Sequence, residues 1–448
     1  MNSYTLRAAD RLLVFTRYPE PGRTKTRLIP ALGPAGAADL HAALASKALR
    51  AVDELAPRRP VDLEVQFAGG DAAAMGERFG AARRYAPQQG ESLGERLERA
   101  IAESFRSGAR RVVVIGVDCP DLDAGRLQMA FESLDDADVV LGPALDGGYY
   151  LIGLTRPQPE LFQGIDWGTD QVLRQTLAQA ARRSLHVQQL PPLGDVDHPE
   201  DLIACRRHPA DFHPPLPTPH AGLLSIIIPT LNEERSLAST LAPLAAVENV
   251  ELIVADGGSR DATVDIAARF GARVIVAGAR GRGRQMNAGA ALARGETLLF
   301  LHADTRLPDG FRATLDSLLT PSVAAGAFPL RIDDARRPYR WLERAINWRS
   351  RVRQLPYGDQ ALFLRSETFF QLNGFAPWPL MEDYDLSRRL RRLGRIRIAD
   401  QPVVTSARRW QKRGLIRTTL LNQGLVAAFR LGVSPQRLAR WYYGRRAE

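Results

Sequence analysis

The sequence predicts two α/β domains with mostly parallel sheets, and three observations support this. Its 448 residues exceed what one compact core usually holds. Two apolar runs, Arg11–Thr16 and Leu223–Pro229, each open an alternation of strand-like and helix-like segments. A proline-rich stretch, residues 208–222, separates the two alternations. We therefore expect one domain on each side of that stretch.

Short continuous apolar runs recur along both halves. Such runs are typical of strands that are covered on both faces, as in a parallel sheet. Helix-like segments, among them Ala35–Leu55 and Asp261–Phe270, lie between the runs. There is no short-period repeat, so the halves share an architecture rather than a sequence. The further strand-like runs are Arg111–Val117, Asp138–Leu141, Glu251–Ala255, Ala272–Val276 and Thr297–Leu301.

The stretch 208–222 contains five prolines and no apolar periodicity. Proline removes a backbone donor and favours extended chain, which is typical of a linker. We therefore expect a first domain over residues 1–207, a linker over 208–222 and a second domain over 223–448.

Composition excludes several classes of protein. An apolar content of 45% and a charged content of 25% are ordinary for globular chains, and exclude disordered, fibrous and disulfide-stapled ones. Two cysteines, Cys119 and Cys205, fit a reducing compartment. No continuous apolar run approaches the roughly 20 residues of a membrane span, and the start does not resemble a signal peptide. We expect a cytoplasmic protein, with Cys119 as a buried, inert thiol because no histidine lies near it in sequence.

Positive charge is concentrated near the C-terminus. Residues 331–448 contain 25 basic and 10 acidic residues, a net charge of +15 in a chain of net charge +10. No nucleic-acid-binding module accompanies this charge, so we expect no nucleic-acid partner. The tail Leu415–Tyr443 mixes apolar and basic residues at helical spacing. It either makes peripheral contact with the inner face of the cell membrane or, as is commoner, packs on the domain.

Five motifs follow one another in the C-terminal half. They read LLSIIIPTLNEE, ELIVADGGSRDAT, GRGRQMNAGAALARGETLLFLHADT, YGDQALFLRSETFFQLNGF and MEDYDLSRRLRRLG. This ordered series, from about Leu223 to about Arg397, resembles the family-2 glycosyltransferases. The resemblance implies a nucleotide-sugar-binding domain of the GT-A type. It also implies inverting transfer of a sugar from a nucleotide diphosphate donor to the hydroxyl of a small-molecule or lipid acceptor.

Several residues of these motifs are candidates for donor binding. Asn232, Glu233 and Asp256 follow predicted strands, at the sheet edge where ligands bind, and the resemblance assigns them to uracil and ribose. A simple turn is the alternative for Asp256. Glycines and arginines in Arg280–Asn287 suit a phosphate, against the alternative of a solvated basic turn. Further candidates are Arg282, Arg284 and Asn287 for the donor, and Asp359 and Gln360 for the sugar or acceptor.

Leu299–Thr305 (LFLHADT) ends a predicted strand in an acid. A leaving diphosphate needs neutralisation, which a divalent metal on a carboxylate supplies. Where the family has two acids, His302 replaces the first, so Asp304 is the expected ligand with His302 beside it. We expect Mg²⁺ or Mn²⁺ here, and a capping aspartate is the alternative.

Glu382 and Asp383 match the acidic pair in which the family carries its base. By that resemblance Asp383 deprotonates the acceptor, with Glu382 alongside. Adjacent carboxylates raise one another's pKa, which suits a base. The alternative is a merely favourable acidic first turn before the basic helix Leu386–Leu393.

The N-terminal half resembles small nucleotidyltransferases, notably the guanylyltransferases that activate phospholactate or molybdopterin. Phe15–Leu28 (FTRYPEPGRTKTRL) matches their basic loop, which implies triphosphate binding by Gly22, Arg23, Lys25 and Arg27. Gly142–Gly153 (GPALDGGYYLIG) matches their substrate-binding turn and includes Asp146. Asp118, at a strand end, and Asp197, in DVDHPEDL, would share a divalent metal. Turn and cap roles are the alternative for these aspartates.

Together the two halves resemble a bacterial fusion associated with arsenosugar biosynthesis. A related family glycosylates a carotenoid acid at the membrane. On this basis the first domain makes a nucleotide-activated sugar from a sugar phosphate and the second uses it. The alternatives are that the first domain is a second glycosyltransferase or a nucleotide-binding module without catalysis.

Overall fold

The protein is described here from a computed structural model, over residues 10–278 and 281–444. It divides into two compact units. One unit comprises the chain up to Asp197 together with Ala210–Pro215, and the other comprises His198–Pro209 and the chain from Leu216 onward. Each unit is therefore assembled from a long segment and a short one, and the two short segments adjoin within residues 198–215.

The first unit is an α/β layer structure around a seven-stranded sheet. Its strands are β1 (Asp10–Arg17), β2 (Val61–Ala68), β3 (Arg84–Pro87), β4 (Arg111–Gly116), β5 (Val139–Pro143), β6 (Tyr149–Leu154) and β7 (Val187–Gln189). Its helices are α1 (Ile29–Leu55), α2 (Ala72–Phe79), α3 (Leu93–Arg106), α4 (Ala124–Ser133) and α5 (Val172–Arg182), with 3₁₀ turns at Thr26–Leu28 and Pro159–Phe162.

The first sheet has the strand order β3-β2-β1-β4-β6-β5-β7. Only β6 runs antiparallel, to both of its neighbours. Apolar side chains of β1 face opposite ways, so Leu12 and Val14 join one core layer and Leu13 and Phe15 the other. A sheet covered on both faces explains the continuous apolar runs of its sequence.

The second unit contains a seven-stranded sheet and a three-stranded one. Its strands are β8 (His220–Thr230), β9 (Val250–Asp256), β10 (Arg273–Val276), β11 (Gly295–Phe300), β12 (Thr305–Arg306), β13 (Val323–Ala327), β14 (Leu330–Asp333), β15 (Phe363–Arg365), β16 (Arg395–Ile398) and β17 (Val403–Ser406). Its helices are α6 (Leu202–Arg206), α7 (Leu237–Leu241), α8 (Thr263–Arg269), α9 (Arg282–Ala291), α10 (Phe311–Leu318), α11 (Arg337–Arg353), α12 (Ser366–Gln371), α13 (Glu382–Leu393), α14 (Arg408–Arg413), α15 (Leu415–Arg430) and α16 (Pro435–Tyr443), with 3₁₀ turns at Pro199–Asp201 and Gly358–Gln360.

The two large sheets follow the same plan. The second has the order β10-β9-β8-β11-β15-β13-β16, and its fifth strand, β15, is again antiparallel to both neighbours. In the small sheet β17 lies between β12 and β14. The prediction of two α/β domains with mostly parallel sheets is thus confirmed. In both units the candidate site residues follow strands at the carboxyl edge of the large sheet, where ligands of open α/β sheets bind.

The helical segment Thr26–Leu55 is long and apolar enough, by length and composition alone, to cross a membrane. Polar residues interrupt this segment, so its sequence does not form one continuous apolar run. Its inner face carries Ala45, Leu49 and Val52 into the core of the first unit. Such packing is what the core helix of an α/β domain does, and we draw no membrane assignment from this helix.

Candidate functional site

Asp256 holds the loop at the carboxyl edge of β8 and β9 in place through hydrogen bonds. Its two carboxylate oxygens accept four hydrogen bonds, from the Thr230 hydroxyl (3.0 Å), the Gly258 amide (2.9 Å) and both the amide and the hydroxyl of Ser259 (2.8 and 2.5 Å). Asn232 adopts a left-handed backbone and its side-chain oxygen accepts from the Arg260 amide at 2.9 Å. The alternative turn role of Asp256 is therefore present, and its bonds shape the loop that any donor base would meet.

Arg408 connects two acidic candidates of this edge. Its guanidinium lies 2.8 Å from Oε2 of Glu233 and 3.1 Å from Oδ2 of Asp304. Glu233 also accepts from the Ser236 hydroxyl at 2.5 Å. These hydrogen bonds raise the pKa of Arg408, mainly through Glu233. One arginine between two carboxylates leaves this group of three side chains with a net charge of −1, held together by charge-assisted hydrogen bonds.

His302 lines the pocket that contains Glu382 and Asp383. Its Nε2 atom is buried and has no hydrogen-bond partner among the residues that the structure describes. Burial, followed by the positive charges of Arg282 and Arg409, places the pKa of His302 well below its usual value. A neutral imidazole with a free nitrogen is the form that binds a metal or accepts a proton.

Asp383 begins helix α13 and is held by two backbone amides. Its Oδ2 accepts from the Gly358 amide at 2.7 Å, and its Oδ1 accepts from the Tyr384 amide at 2.7 Å. The residue before the helix, Met381, has φ 74°, a left-handed conformation that is uncommon for a side chain of its size. Such local strain occurs mostly where surrounding structure fixes a functional group.

Glu382 is buried next to Asp383. Burial, and then the negative charge of Asp383, raises the pKa of Glu382 to about 7. Arg282 opposes that shift from 3.9 Å and is itself ion-paired with Glu382. Glu382 therefore exchanges its proton near neutral pH, which is useful beside a base.

Asp359 lies in the same pocket. Within the described part of the chain its buried Oδ1 has no hydrogen-bond partner, and burial raises the pKa of Asp359 despite the nearby charge of Arg349. Arg349 stacks over the ring of Tyr357 at 3.5 Å. A buried carboxyl without a partner is a polar group that a sugar or acceptor hydroxyl could satisfy.

Three polar residues near the site are committed to the backbone instead. Asn287 exchanges two hydrogen bonds with the main chain of Phe375. Gln360 is fully buried, donates to the Phe328 carbonyl and accepts from the Ser350 hydroxyl. Their contacts join chain segments and leave little capacity for a ligand, although we predicted donor or sugar binding for both. Gln285, which sequence reasoning did not single out, does the same for the ends of β8 and β9.

Two arginines of the segment Arg280–Asn287 lie in different surroundings. Arg282 lines the pocket of Asp383, whereas Arg284 lies 4.0 Å from Glu200. Arg280 lies outside the described residues. Of the two arginines that the structure describes, Arg282 is thus the one that lines the pocket of Asp383.

The pocket that contains Asp383 has a further wall that mixes apolar and polar side chains. Helices α11 and α15 line it there, and this contribution was not predicted from the sequence. The lining residues from these helices are Leu342, Ile346, Arg349, Thr419, Asn422, Gln423, Leu425 and Val426. Four apolar side chains beside four polar ones suit a ligand that has both apolar surface and polar groups.

The fit of a divalent metal to the second unit rests on two donors. Asp304 offers a carboxylate, and His302 offers a neutral imidazole nitrogen without a partner. Both are accepted by Mn²⁺, and a nucleotide diphosphate supplies further oxygens. Among the described residues no group of three or more histidine, cysteine or acidic side chains is arranged to hold a metal alone. The donors thus fit a cation that arrives with its nucleotide.

In the first unit the predicted metal pair is brought together by Lys25. The Lys25 ammonium lies 2.7 Å from Oδ1 of Asp118 and 3.0 Å from Oδ1 of Asp197, and it donates to the Val196 carbonyl at 2.7 Å. Arg27 pairs with the other oxygen of Asp197 at 3.0 Å. A divalent cation between these carboxylates would have to displace the ammonium group, so the arrangement does not fit a metal.

The charges around Lys25 shift several pKa values. Burial alone would lower the pKa of Lys25, but Asp118 and Asp197 hold it above its usual value. Burial would raise the pKa of Asp118, and Lys25, followed by His41, reverses this shift. Burial lowers the pKa of His41 to about 4. A cationic lysine and a neutral histidine thus face Asp118.

Of the other predicted residues of this unit, Arg23 lines the same pocket as Lys25, whereas Asp146 lines a different one. Gly22 has φ 84°, a turn conformation that favours glycine, and Arg23 is exposed beside Glu20 at 3.4 Å. Asp146 accepts from the Gly148 amide at 2.8 Å in a tight turn, as the alternative for it supposed. Cys119 is buried, and burial, followed by the charge of Asp195, raises its pKa well above the usual value, in keeping with an inert thiol.

Comparison with known proteins matches two family models. Residues 225–376 match the model described as glycosyl transferase family 2, and residues 51–169 match one described as an uncharacterized protein conserved in bacteria (DUF2064). A PGL/p-HBAD biosynthesis glycosyltransferase of Mycobacterium bovis is 43% identical over 95 residues, 19% of this chain. The chain spans only 37% of the length of that relative.

Solved structures of nucleotide-sugar enzymes are also similar. A crystal structure from Desulfovibrio desulfuricans G20, whose name places it with the nucleotide-diphospho-sugar transferases, is 36% identical and has a TM-score of 0.41. It covers 46% of this chain and 89% of its own. Glucosyl-3-phosphoglycerate synthase of Mycobacterium tuberculosis, solved with Mn²⁺, UDP and glucosyl-3-phosphoglycerate, is 23% identical, with coverages of 42% and 71% and a TM-score of 0.30.

Proposed function

The chain carries a family-2 glycosyltransferase domain in residues 225–376, and from this premise we propose that it is an inverting glycosyltransferase. It moves a sugar from a nucleotide diphosphate donor to an acceptor hydroxyl. The observation that carries the proposal is the carboxylate of Asp383, which two backbone amides fix in a pocket shared with Arg282 and His302. A fixed, accessible carboxylate is what a single in-line displacement needs as its base.

In this mechanism Asp383 accepts the proton of the acceptor hydroxyl while the oxygen attacks the anomeric carbon. Glu382, with its pKa of about 7, takes up or releases a proton beside it. Arg282 lies close enough to Glu382 to place positive charge beside the developing phosphate charge. A divalent cation, held by Asp304 with His302 beside it, would neutralise the leaving diphosphate when bound.

The donor base is proposed to lie over the loop that Asp256 shapes. Asn232, Glu233 and Asp256 are at the carboxyl edge of β8 and β9, which supports this position. Arg408 is proposed to hold Glu233 and Asp304 until nucleotide and metal arrive. Binding would then exchange an internal ion pair for contacts with the diphosphate.

Calorimetric titration of the full chain with UDP and with GDP, each with and without Mn²⁺, tests this proposal. We expect saturable binding of one nucleotide that weakens without metal and in Asp304→Ala. The matched control is Asp309→Ala, an exposed acid five residues further along. Equal binding by Asp304→Ala and the wild type, or no binding by a folded protein, would refute the role of the edge.

For the first unit we propose a nucleotidyltransferase-like activity that makes the activated donor. Lys25 and Arg27 form a cationic group beside Asp118 and Asp197, and this supports binding of a triphosphate. Release of pyrophosphate from a nucleoside triphosphate and a sugar phosphate, lost in Lys25→Met, tests it. Sugar transfer by this unit without pyrophosphate release would favour a second glycosyltransferase. If the unit shows neither activity, the result would favour a nucleotide-binding module.

The acceptor and the cellular location are proposals of the same rank. An arsenosugar precursor and a carotenoid acid are the acceptors that the sequence resemblance implies. A location in the cytoplasm, at the inner face of the membrane, agrees with the basic C-terminal quarter. Transfer assays with radiolabelled donor and membrane extracts would distinguish a lipid acceptor from a soluble one.

A further inference from the structure

Helix α11 has an exposed apolar row. Trp341, Ala345, Trp348 and Val352 follow one another at spacings of four, three and four residues, which places them on one face of the helix. Trp341 is 69% exposed and Trp348 is 60% exposed. Two tryptophans left in solvent on one face are unusual for a surface that faces only water.

Helix α15 repeats this arrangement. Ile416 and Leu420 are 71% and 67% exposed, and the same face continues through Gln423 and Ala427. The opposite face packs through Leu425 against the core that includes Tyr384. The helix is therefore apolar on its outer face as well as on its inner face, a pattern that is common where a helix meets lipid.

Both exposed rows are bordered by positive charge. On α11 the residues Arg344 and Arg351 are exposed, each three positions after a tryptophan of the row. The one acid of α11, Glu343, is buried, pairs with Arg340 and accepts from the Ile332 amide. Residues 401–444 contain eight basic and no acidic residues. The exposed charged side chains of α11 and of residues 401–444 are thus all basic.

From these rows and charges we propose that the outer faces of α11 and α15 bind the surface of an anionic lipid bilayer. Tryptophan prefers the interface between headgroups and acyl chains, and basic residues beside it attract anionic headgroups. Aliphatic side chains such as Val352, Ile416 and Leu420 contribute when buried in lipid. They have no such use against the phosphates and bases of a nucleic acid, which the charge alone would also attract.

The rows adjoin the pocket of Asp383. On α11 the pocket-lining Ile346 follows a residue of the exposed row by one position, and on α15 Thr419 precedes one while Gln423 belongs to both the row and the pocket. One position is about 100° around a helix, so each row borders the pocket wall. On the proposed function, the bilayer would then supply an acceptor whose apolar body enters between these helices while its hydroxyl reaches Asp383.

Sedimentation of the full chain with lipid vesicles tests the proposal. The vesicles contain phosphatidylcholine with 30% phosphatidylglycerol in one series and phosphatidylcholine alone in the other. We expect binding to the anionic vesicles, and at least a tenfold loss in the double variant Trp341→Glu with Trp348→Glu. Leu145→Glu, at a 71% exposed leucine of the first unit, is the matched control and should bind like the wild type.

Circular dichroism and UDP titration of each variant show whether it is folded and still binds donor. A folded double variant that sediments with anionic vesicles as the wild type does would overturn the proposal. A wild type that does not bind anionic vesicles would also overturn it. Tight binding to a random-sequence RNA that the double variant retains would also overturn it. None of these measurements requires sugar transfer. The proposal of lipid binding can therefore be refuted while the glycosyltransferase proposal stands, and the glycosyltransferase proposal can be refuted while lipid binding stands.

Discussion

The backbone amide of Gly358 donates a 2.7 Å hydrogen bond to Oδ2 of Asp383. The donor and the acceptor are 25 residues apart, and the bond joins the turn Gly358–Gln360 to the start of α13. A Cβ atom at position 358 would lie 3.2 Å from that same oxygen and 3.2 Å from Nε2 of His302. A substitution at position 358 can therefore displace both the Asp383 carboxylate and the His302 ring while leaving Asp383 and His302 themselves unchanged.

We expect Gly358→Ala to lower kcat about 10- to 100-fold, because a shift of the carboxylate by a fraction of an ångström misaligns the base. The affinity for donor should stay within about twofold of the wild type. Steady-state kinetics and nucleotide titration measure the two effects. Gly424→Ala on α15, where a Cβ meets nothing within 4 Å, is the matched control and should retain full kcat. Equal loss in both variants would contradict this role.

Glu382 makes stability depend on pH. Its folded pKa of about 7 lies above the usual 4.5, so the folded state binds the proton more tightly than the unfolded state does. Stability is therefore greatest below pH 4.5 with respect to this group and falls as the pH rises towards 7. We expect a loss on the order of 3 kcal/mol at most across that window, absent in Glu382→Gln.

Urea unfolding followed by tryptophan fluorescence measures this effect, because five of the six tryptophans belong to the second unit. The control variant is Glu248→Gln, which removes an exposed acid of the same unit. It should keep the wild-type dependence on pH. A Glu382→Gln protein that still loses stability between pH 4.5 and 7 would assign the effect to another group.

Lys25→Met leaves Asp118 and Asp197 without their shared cation. We expect a loss of about 2 kcal/mol near neutral pH, less than for a fully buried pair because both carboxylates reach solvent. The pKa of Asp118 is below its usual 3.8, so this contribution is present above that pH and is lost as the pH falls below it.

Scanning calorimetry of the full chain at pH 7 and pH 3 measures the difference. Arg23→Met, which removes an exposed arginine with a single ion pair at 3.4 Å, is the matched control and should change stability by less than about 0.5 kcal/mol. A Lys25→Met protein as stable as this control would show that the ammonium group is not needed to hold the two carboxylates.

Arg408 competes with a metal for Asp304. We expect Arg408→Gln to bind Mn²⁺ alone about three- to tenfold more tightly than the wild type, because it frees a carboxylate oxygen. Electron paramagnetic resonance of free Mn²⁺ measures this affinity. Arg306→Gln removes an arginine of similar exposure that pairs with Asp333 at 3.1 Å, and it should leave the affinity unchanged. Weaker Mn²⁺ binding by Arg408→Gln would exclude this competition.

The sequence predicted the strands of both large sheets that are buried on two faces, because their apolar runs are continuous. The runs Arg11–Thr16 and Arg111–Val117 became β1 and β4 with bounds within a residue or so. The antiparallel strand β15 has only three residues, within the strand-like run that follows Tyr357–Gln360 in the sequence. Its place depends on pairing with β11, where Phe363 lies opposite Leu299, 64 residues earlier, and no local pattern encodes such a pairing.

The candidate residues divide in the same way. Acids at strand ends, such as Asp118 and Asp304, could be predicted because the carboxyl edge of a parallel sheet gathers them. Asn287 could not be judged, since its partner is the backbone of Phe375, 88 residues away. The pocket wall from α11 and α15 was missed because helical periodicity alone does not show which face meets a pocket and which meets solvent.

The ion pairs of Arg408 bear on how the second unit could be shortened. The region that matches the family model ends at residue 376, before α13, Arg408 and α15. A protein trimmed to that limit would lack the proposed base Asp383, one wall of the pocket around it and the arginine that pairs with Glu233 and Asp304. Expression of the transferase as a separate module should therefore extend at least through Tyr443, the end of α16.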